Sequence, residues 1–132
     1  RLFVGRSGRT NDAGLRQLHD LVEPLGYRVT AVPVDGCLHL KSGVTQVASN
    51  TLLLNPRWVP TTAFGGCHLI EVDPREPLGA NALLAAGSVL YAASCPETAE
   101  RLRAEGIDVR LLDISEISKA EGGVTCCSLL IA

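Results

Sequence analysis

Apolar residues fall along this chain in short bursts set apart by glycine, proline and charge, and the spacing within the bursts changes from one to the next. Residues 2–5 read as a short strand. Residues 11–25 read as a helix, because Leu15, Leu18, Val22 and Leu25 recur at helical spacing and define one buried face. Gly26 closes that helix, as glycine commonly does just past a helix end. Strand follows over 27–34, where Val29, Val32 and Val34 stand out, and again over 51–54 and 67–72, with a Pro- and Gly-containing loop through Trp58 and Gly66 between them. A further strand covers 88–92. A helix then opens near Pro96, a residue suited to the first helical turn, and runs to about Glu105. Residues 108–114 and 126–131 complete the set as strands.

One pattern repeats. Gly26-Tyr27-Arg28-Val29 ends the first helix and Gly106-Ile107-Asp108-Val109 ends the second; Gly43-Val44-Thr45 follows the first and Gly123-Val124-Thr125 the second at the same interval. Val32 and Val34 correspond to Leu112 and Ile114 in this alignment. The pattern fits an internal repeat of a strand–helix–strand module. The competing reading is a chance match between two ordinary αβ units. If modules repeat around an axis, each copy brings an equivalent loop to the centre. The loop holding His39 and the segment leading to Cys126 would then meet.

With 132 residues the chain has room for a single α/β domain, 1–132, and a composition 46% hydrophobic and 20% charged gives it a core. A net charge of -2 with scattered arginines offers nothing to nucleic acid or an anionic membrane. Five aromatic residues, one Trp, two Tyr and two Phe, make a base-stacking platform unexpected. No run reaches the roughly 18 apolar residues of a membrane helix. The chain enters an apolar run at once, without Met or a signal-peptide pattern, so residues are expected to precede it. Cys37, Cys67, Cys95, Cys126 and Cys127 are odd in number and lack CxxC spacing, which favours a reducing, cytoplasmic setting over a disulfide framework or zinc site.

The candidate chemistry lies in three places. In the run Gly122-Gly123-Val124-Thr125-Cys126-Cys127-Ser128, paired glycines allow close backbone approach to a ligand. If a strand follows, Cys127, Leu129 and Ile131 share one face and Cys126 and Ser128 the other. Cys126 is thus a candidate nucleophile, against the reading of both cysteines as small buried hydrophobes. His39 alternates with Leu38 and Leu40, which leaves the imidazole free to point away from the core. A histidine beside a cysteine can stabilise the thiolate and shuttle protons. A structural histidine, or a zinc site of Cys37, His39 and Cys126, are the alternatives. His19 reads as surface and His68 as structural. Arg9, before the first helix, could clamp a carboxylate, unless this turn serves only to cap the helix through Thr10 or Asn11.

Taken together, Gly8-Arg9-Thr10-Asn11, Leu38-His39-Leu40-Lys41-Ser42-Gly43 and Gly122 to Ser128 resemble the dimethylarginine dimethylaminohydrolase family, with Ala80-Asn81 and the Glu-Ile-Ser-Lys stretch at 116–119 also fitting. The resemblance runs from the first residue to the last and keeps the motifs in order. It implies a five-bladed α/β propeller, the pentein fold of the amidinotransferase (guanidino-group-modifying) superfamily, built from repeated ββαβ modules. It further implies Cys126 as nucleophile, His39 as general acid/base, Arg9 on the substrate carboxylate, the backbone at Ala120 and Glu121 near the substrate amino group, and Thr125 as a supporting polar group. No metal or organic cofactor is implied. The partner is a small molecule, a methylated arginine.

The family is about twice this length, so the chain resembles a C-terminal half. The acids that bind the guanidinium and the carboxylate that orients the histidine belong to the other half; Asp35, Asp113, Glu116 and Glu121 lie in no motif that would replace them. An N-terminal half or a second copy of the chain is the macromolecular partner expected. Arginine deimination within the same superfamily, and a non-catalytic fragment that binds through the same cleft, are the alternative functions.

Overall fold

A computed structural model describes residues 1–131, and over that length the chain is a mixed α/β fold of three small sheets. β1 (Leu2–Arg6) and β2 (Val29–Pro33) pair in parallel, joined by α1 (Asp12–Val22). After the one-turn α2 (Leu40–Gly43), β3 (Val44–Ala48) runs antiparallel to β4 (Thr51–Leu54), and β4 runs parallel to β5 (His68–Glu71). β6 (Ala82–Ala85), β7 (Ser88–Ala92) and β8 (Val109–Leu112) repeat that order and those directions, with α3 (Pro96–Ala104) spanning the parallel pair. A short α4 (Ser115–Ser118) follows. The connection between β4 and β5 holds a 3₁₀ turn, Thr61–Phe64, where the third sheet has a helix.

The repeat expected from the glycine pattern is present where the helices end. Gly26 and Gly106 both take positive φ, 81° and 77°, a conformation that suits glycine, and each leads into a strand parallel to the one before the helix. It fails further on. β3 starts at Val44, but residues 124–127 form a turn and 128–131 take no regular structure, so the strand expected over 126–131 does not form. A strand is held by hydrogen bonds to a neighbour; β3 has β4, whereas the tail has no paired strand among the described residues. Its expected two-faced burial fails with it, for Leu129 and Ile131 are 85% and 88% exposed.

The first helix is also shorter than its apolar spacing suggests. Asn11 caps it, its side-chain oxygen accepting from the Gly14 N–H at 2.9 Å, and it gives way at Glu23 to a 3₁₀ turn containing Pro24. Only Leu15 of the expected face is buried, and Leu25 is 71% exposed.

The core forms around the central strands β4 and β7. In β4, Leu52 and Leu54 pack with Val32, Val44, Val59 and Phe64, while Leu53 points the other way among Val47, Ile70 and Val89. Burial on both faces explains why Thr51–Leu54 reads as continuous apolar sequence without alternation. Burying a leucine such as Leu53 or Leu54 contributes roughly 1.5–3 kcal/mol. β3 lies beside β6, so the second and third sheets meet through their first strands. No described helix is long and apolar enough to cross a membrane.

Candidate functional site

Three distant segments converge on one open cavity of about 370 Å³. β1 contributes its middle. The start of α2 contributes His39, Lys41 and Ser42, and the turn at 123–127 contributes Thr125 and Cys126, with Asn81 between the last two segments. His39 and Cys126, 87 positions apart by number (126 less 39), thus line the same space.

His39 is the residue before the first turn of α2, with extended backbone (φ -127°, ψ 144°), and its carbonyl accepts from Ser42 N–H at 2.9 Å. Leu40 packs against the core cluster around Val44, but Leu38 is half exposed, so only one of the flanking leucines anchors the imidazole. Cys126 lies in a turn closed by the Cys127 N–H donating to the Gly123 carbonyl at 3.1 Å. The Gly123 N–H points at the Cys126 sulfur at 3.0 Å. That donor holds the Cys126 thiol below its ordinary pKa, because a hydrogen bond to sulfur favours the thiolate. Cys127, whose sulfur is 3.9 Å from that of Cys126, is pushed the other way, chiefly by its hydrogen bond with the Cys126 sulfur and then by desolvation and the charge of that neighbour.

Thr125 is fastened beside the nucleophile candidate. Its hydroxyl donates to the Ala82 carbonyl at 2.6 Å and its N–H donates to the Asn81 side-chain oxygen at 3.2 Å. Glu121 has left-handed backbone, φ 58°, and lines a neighbouring cavity of about 130 Å³ whose wall includes Ser42 and Asn81, residues shared with the first. Ala120 is exposed and lines neither cavity, and the same holds for Arg9. Arg9 stands in the tight turn between Ser7 and Thr10; Ser7 reaches the Leu38 carbonyl at 3.5 Å, which brings that turn beside the His39 segment.

Among the described residues, those lining the His39–Cys126 cavity include no carboxylate side chain. A guanidinium in this space would meet Lys41 and no counter-charge. The zinc alternative has no donor set: Cys37 donates to the backbone carbonyl of His39 at 3.4 Å, and among the described residues no three His, Cys, Asp or Glu side chains lie close enough to hold a metal. His19 is exposed, and His68 pairs with Glu105 at 3.0 Å. A larger cavity, about 480 Å³ and lined by Leu2, Phe3, Val44 and Leu52, is mostly apolar and holds neither His39 nor Cys126.

The contribution of Asn81 and Ser42 is less legible in sequence than that of Cys126. Asn81 lies far from both chemical segments in the chain, and only its place in the fold brings it between them.

No family model matches the chain. A dimethylarginine dimethylaminohydrolase of Streptomyces coelicolor is 42% identical over 138 residues, covering 97% of this chain and 49% of its own length. The dimethylarginine dimethylaminohydrolase of Pseudomonas aeruginosa, solved as a cysteine-to-serine mutant complexed with citrulline, superposes with a TM-score of 0.84 at 32% identity, over 93% of this chain and 48% of that one. A histidine-to-glycine dimethylarginine dimethylaminohydrolase solved as an adduct with S-methyl-L-thiocitrulline gives a TM-score of 0.86 at 33% identity, over 96% and 50%. The chain therefore spans about half the length of the relatives it matches.

Proposed function

We propose that this chain, 42% identical to a dimethylarginine dimethylaminohydrolase over 97% of its own length, is the half of such an enzyme that carries the nucleophile, and that the complete enzyme converts methylated arginine to citrulline and an amine. The observation that carries this reading is the meeting of His39 and Cys126 on one cavity wall from opposite ends of the chain. The solved relatives add two chemical parallels, a cysteine mutant complexed with citrulline and a histidine mutant captured as an adduct.

In this mechanism the Cys126 thiolate adds to the guanidinium carbon. His39 protonates the departing dimethylamine, and the carbon stays bonded to sulfur as a thiouronium. Water, deprotonated by His39, adds to the same carbon; the C–S bond breaks, the thiolate is regenerated and citrulline leaves. Acid–base help of this kind is worth roughly 10²- to 10⁴-fold. The Gly123 N–H favours the attacking thiolate. Thr125 supports the turn, Arg9 grips the substrate carboxylate, and the backbone of Ala120 and Glu121 faces the amino group. No metal or cofactor takes part.

The missing carboxylates come from an N-terminal half. One complete ββαβ unit, a second whose strands are joined through a 3₁₀ turn, and a parallel β1–β2 pair fit part of a five-bladed propeller. Among the described residues the β1–β2 pair lacks the antiparallel first strand that β3 gives β4 and β6 gives β7. β6 sits beside β3, and the 480 Å³ apolar cavity occupies the equivalent space between β1 and β3, where an incoming strand would lie. The chain acts as one domain, in a reducing compartment such as the cytoplasm, where its five thiols stay free.

The test is citrulline release from asymmetric dimethylarginine, with arginine in parallel, by the chain supplied with the N-terminal half of a relative. Release from the methylated substrate, lost in Cys126→Ser, is expected. Release from arginine alone would make it a deiminase, and normal turnover by Cys126→Ser would overturn the assignment.

A further inference from the structure

The proposed chemistry needs the Cys126 turn and the His39 segment held in fixed relation, yet no side-chain hydrogen bond joins them directly among the described residues. What joins them is one amide. The Asn81 side-chain oxygen accepts from the N–H of Thr125, the residue before Cys126, at 3.2 Å; its NH₂ donates to the carbonyl of Lys41, two residues after His39, at 3.4 Å. The partners fix the orientation of the amide, since an N–H can only meet the oxygen and a carbonyl only the nitrogen.

Asn81 is well placed for this. It lies between Ala80 and Ala82, both fully buried, so its backbone is tied to the core at the start of β6. The Cys126 turn lies flat upon it: a Cβ at Gly123 would come within 2.6 Å of the Asn81 oxygen. The Thr125 hydroxyl adds a second bond to the same strand, at Ala82. We infer that Asn81 is the positioning residue that sets the nucleophile turn in register with the histidine segment. This rests on the assignment of Cys126 and His39 proposed above.

An amide suits the role because it accepts on one side and donates on the other. Aspartate has the same shape and keeps the bond from Thr125, but it presents a carboxylate to the Lys41 carbonyl, where nothing is donated. Alanine loses both contacts.

The experiment compares Asn81→Ala and Asn81→Asp with the unaltered chain in two assays. The first is the pH dependence of iodoacetamide alkylation at Cys126, read on its own peptide from the chain alone. The second is citrulline turnover with the N-terminal half supplied. Asn81→Ala should move the alkylation midpoint upward, because a loosened turn no longer aims the Gly123 N–H at sulfur, and should lower kcat about 10²-fold with KM little changed. Asn81→Asp keeps the bond from Thr125 but sets a carboxylate in the Cys126 cavity, so its alkylation midpoint should also rise, and it should lose a similar part of kcat. Unchanged alkylation and kcat in Asn81→Ala, or full kcat in Asn81→Asp, would overturn the inference, even with a lowered melting temperature. Should the unaltered pair release no citrulline, the functional reading fails, and the alkylation profile of Asn81→Ala still decides the positioning role alone.

Discussion

At the scale of single residues, Cys126 differs from the other four cysteines in its setting. It is exposed, and it receives an N–H from Gly123 at 3.0 Å. Cys95 is buried, and burial pushes its thiol up; Cys37 is half-buried and shifted the same way. The thiolate is the reacting species, so reactivity rises with pH through the thiol pKa. Cys126 should therefore alkylate first, with a midpoint below the ordinary cysteine value of about 8.5, and Cys95 last, on unfolding. Peptide mapping of a timed iodoacetamide reaction reads the order; Cys95 labelling ahead of Cys126 would contradict it. Cys126 and His39 stand out in sequence as candidates through their glycine-rich and leucine-flanked contexts, and their roles come from the family resemblance. Asn81 fitted the family pattern but carried no local sign of its work, which depends on tertiary contacts at Thr125 and Lys41.

At the scale of elements, one carboxylate ties the second sheet to α3. Asp73, just past β5, accepts from Arg75 at 2.9 Å and from Arg101 of α3 at 2.9 Å, and these cations hold its pKa at about 2. A carboxylate depressed in the folded state contributes stability above its unfolded pKa, about 3.9, and that contribution is lost as pH falls toward about 2. Thermal melts should show the loss between those values, and Asp73→Asn should be less stable at neutral pH and flatter across that window. An unchanged pH dependence in Asp73→Asn would contradict the argument. The loop carrying His39 has its own anchor. Gly36 takes φ 74°, and a Cβ there would come within 2.6 Å of Trp58, so Gly36→Ala should cost about 1–3 kcal/mol, measurable by urea titration.

The strands read most easily from sequence were the apolar β4, β5 and β7. β6, Ala82–Ala85, has alanine and leucine, residues without strand preference, and is a strand because β7 pairs with it. β3 shows in sequence only as a repeated Gly-Val-Thr. The tail at 126–131 shows the opposite: its alternation suits a strand, but a strand also needs a partner, and among the described residues it has none.

At the scale of the whole molecule, the surface carries apolar side chains that the proposed N-terminal half would cover. Leu21, Leu25, Leu129 and Ile131 are exposed, and the first sheet has the open edge described above. The chain alone should bind a hydrophobic dye such as ANS, and adding the N-terminal half should reduce that binding and raise the melting temperature. Equal dye binding in the presence of that half would count against a shared ring. The mixed α/β class and the halves of the repeat could be read from glycine spacing; the proposed ring could not, because its closure would rest on strands from the proposed N-terminal half.

The most direct test of the central claim is to look for carbon on sulfur. The chain carrying His39→Ala, supplied with the N-terminal half, is mixed with asymmetric dimethylarginine, acid-quenched and mapped by mass spectrometry. The account predicts that the Cys126 peptide gains the mass of the substrate less dimethylamine, because attack can proceed slowly while hydrolysis lacks its base. An adduct on any other cysteine, or citrulline formed at the normal rate with Cys126 replaced by serine, would contradict it.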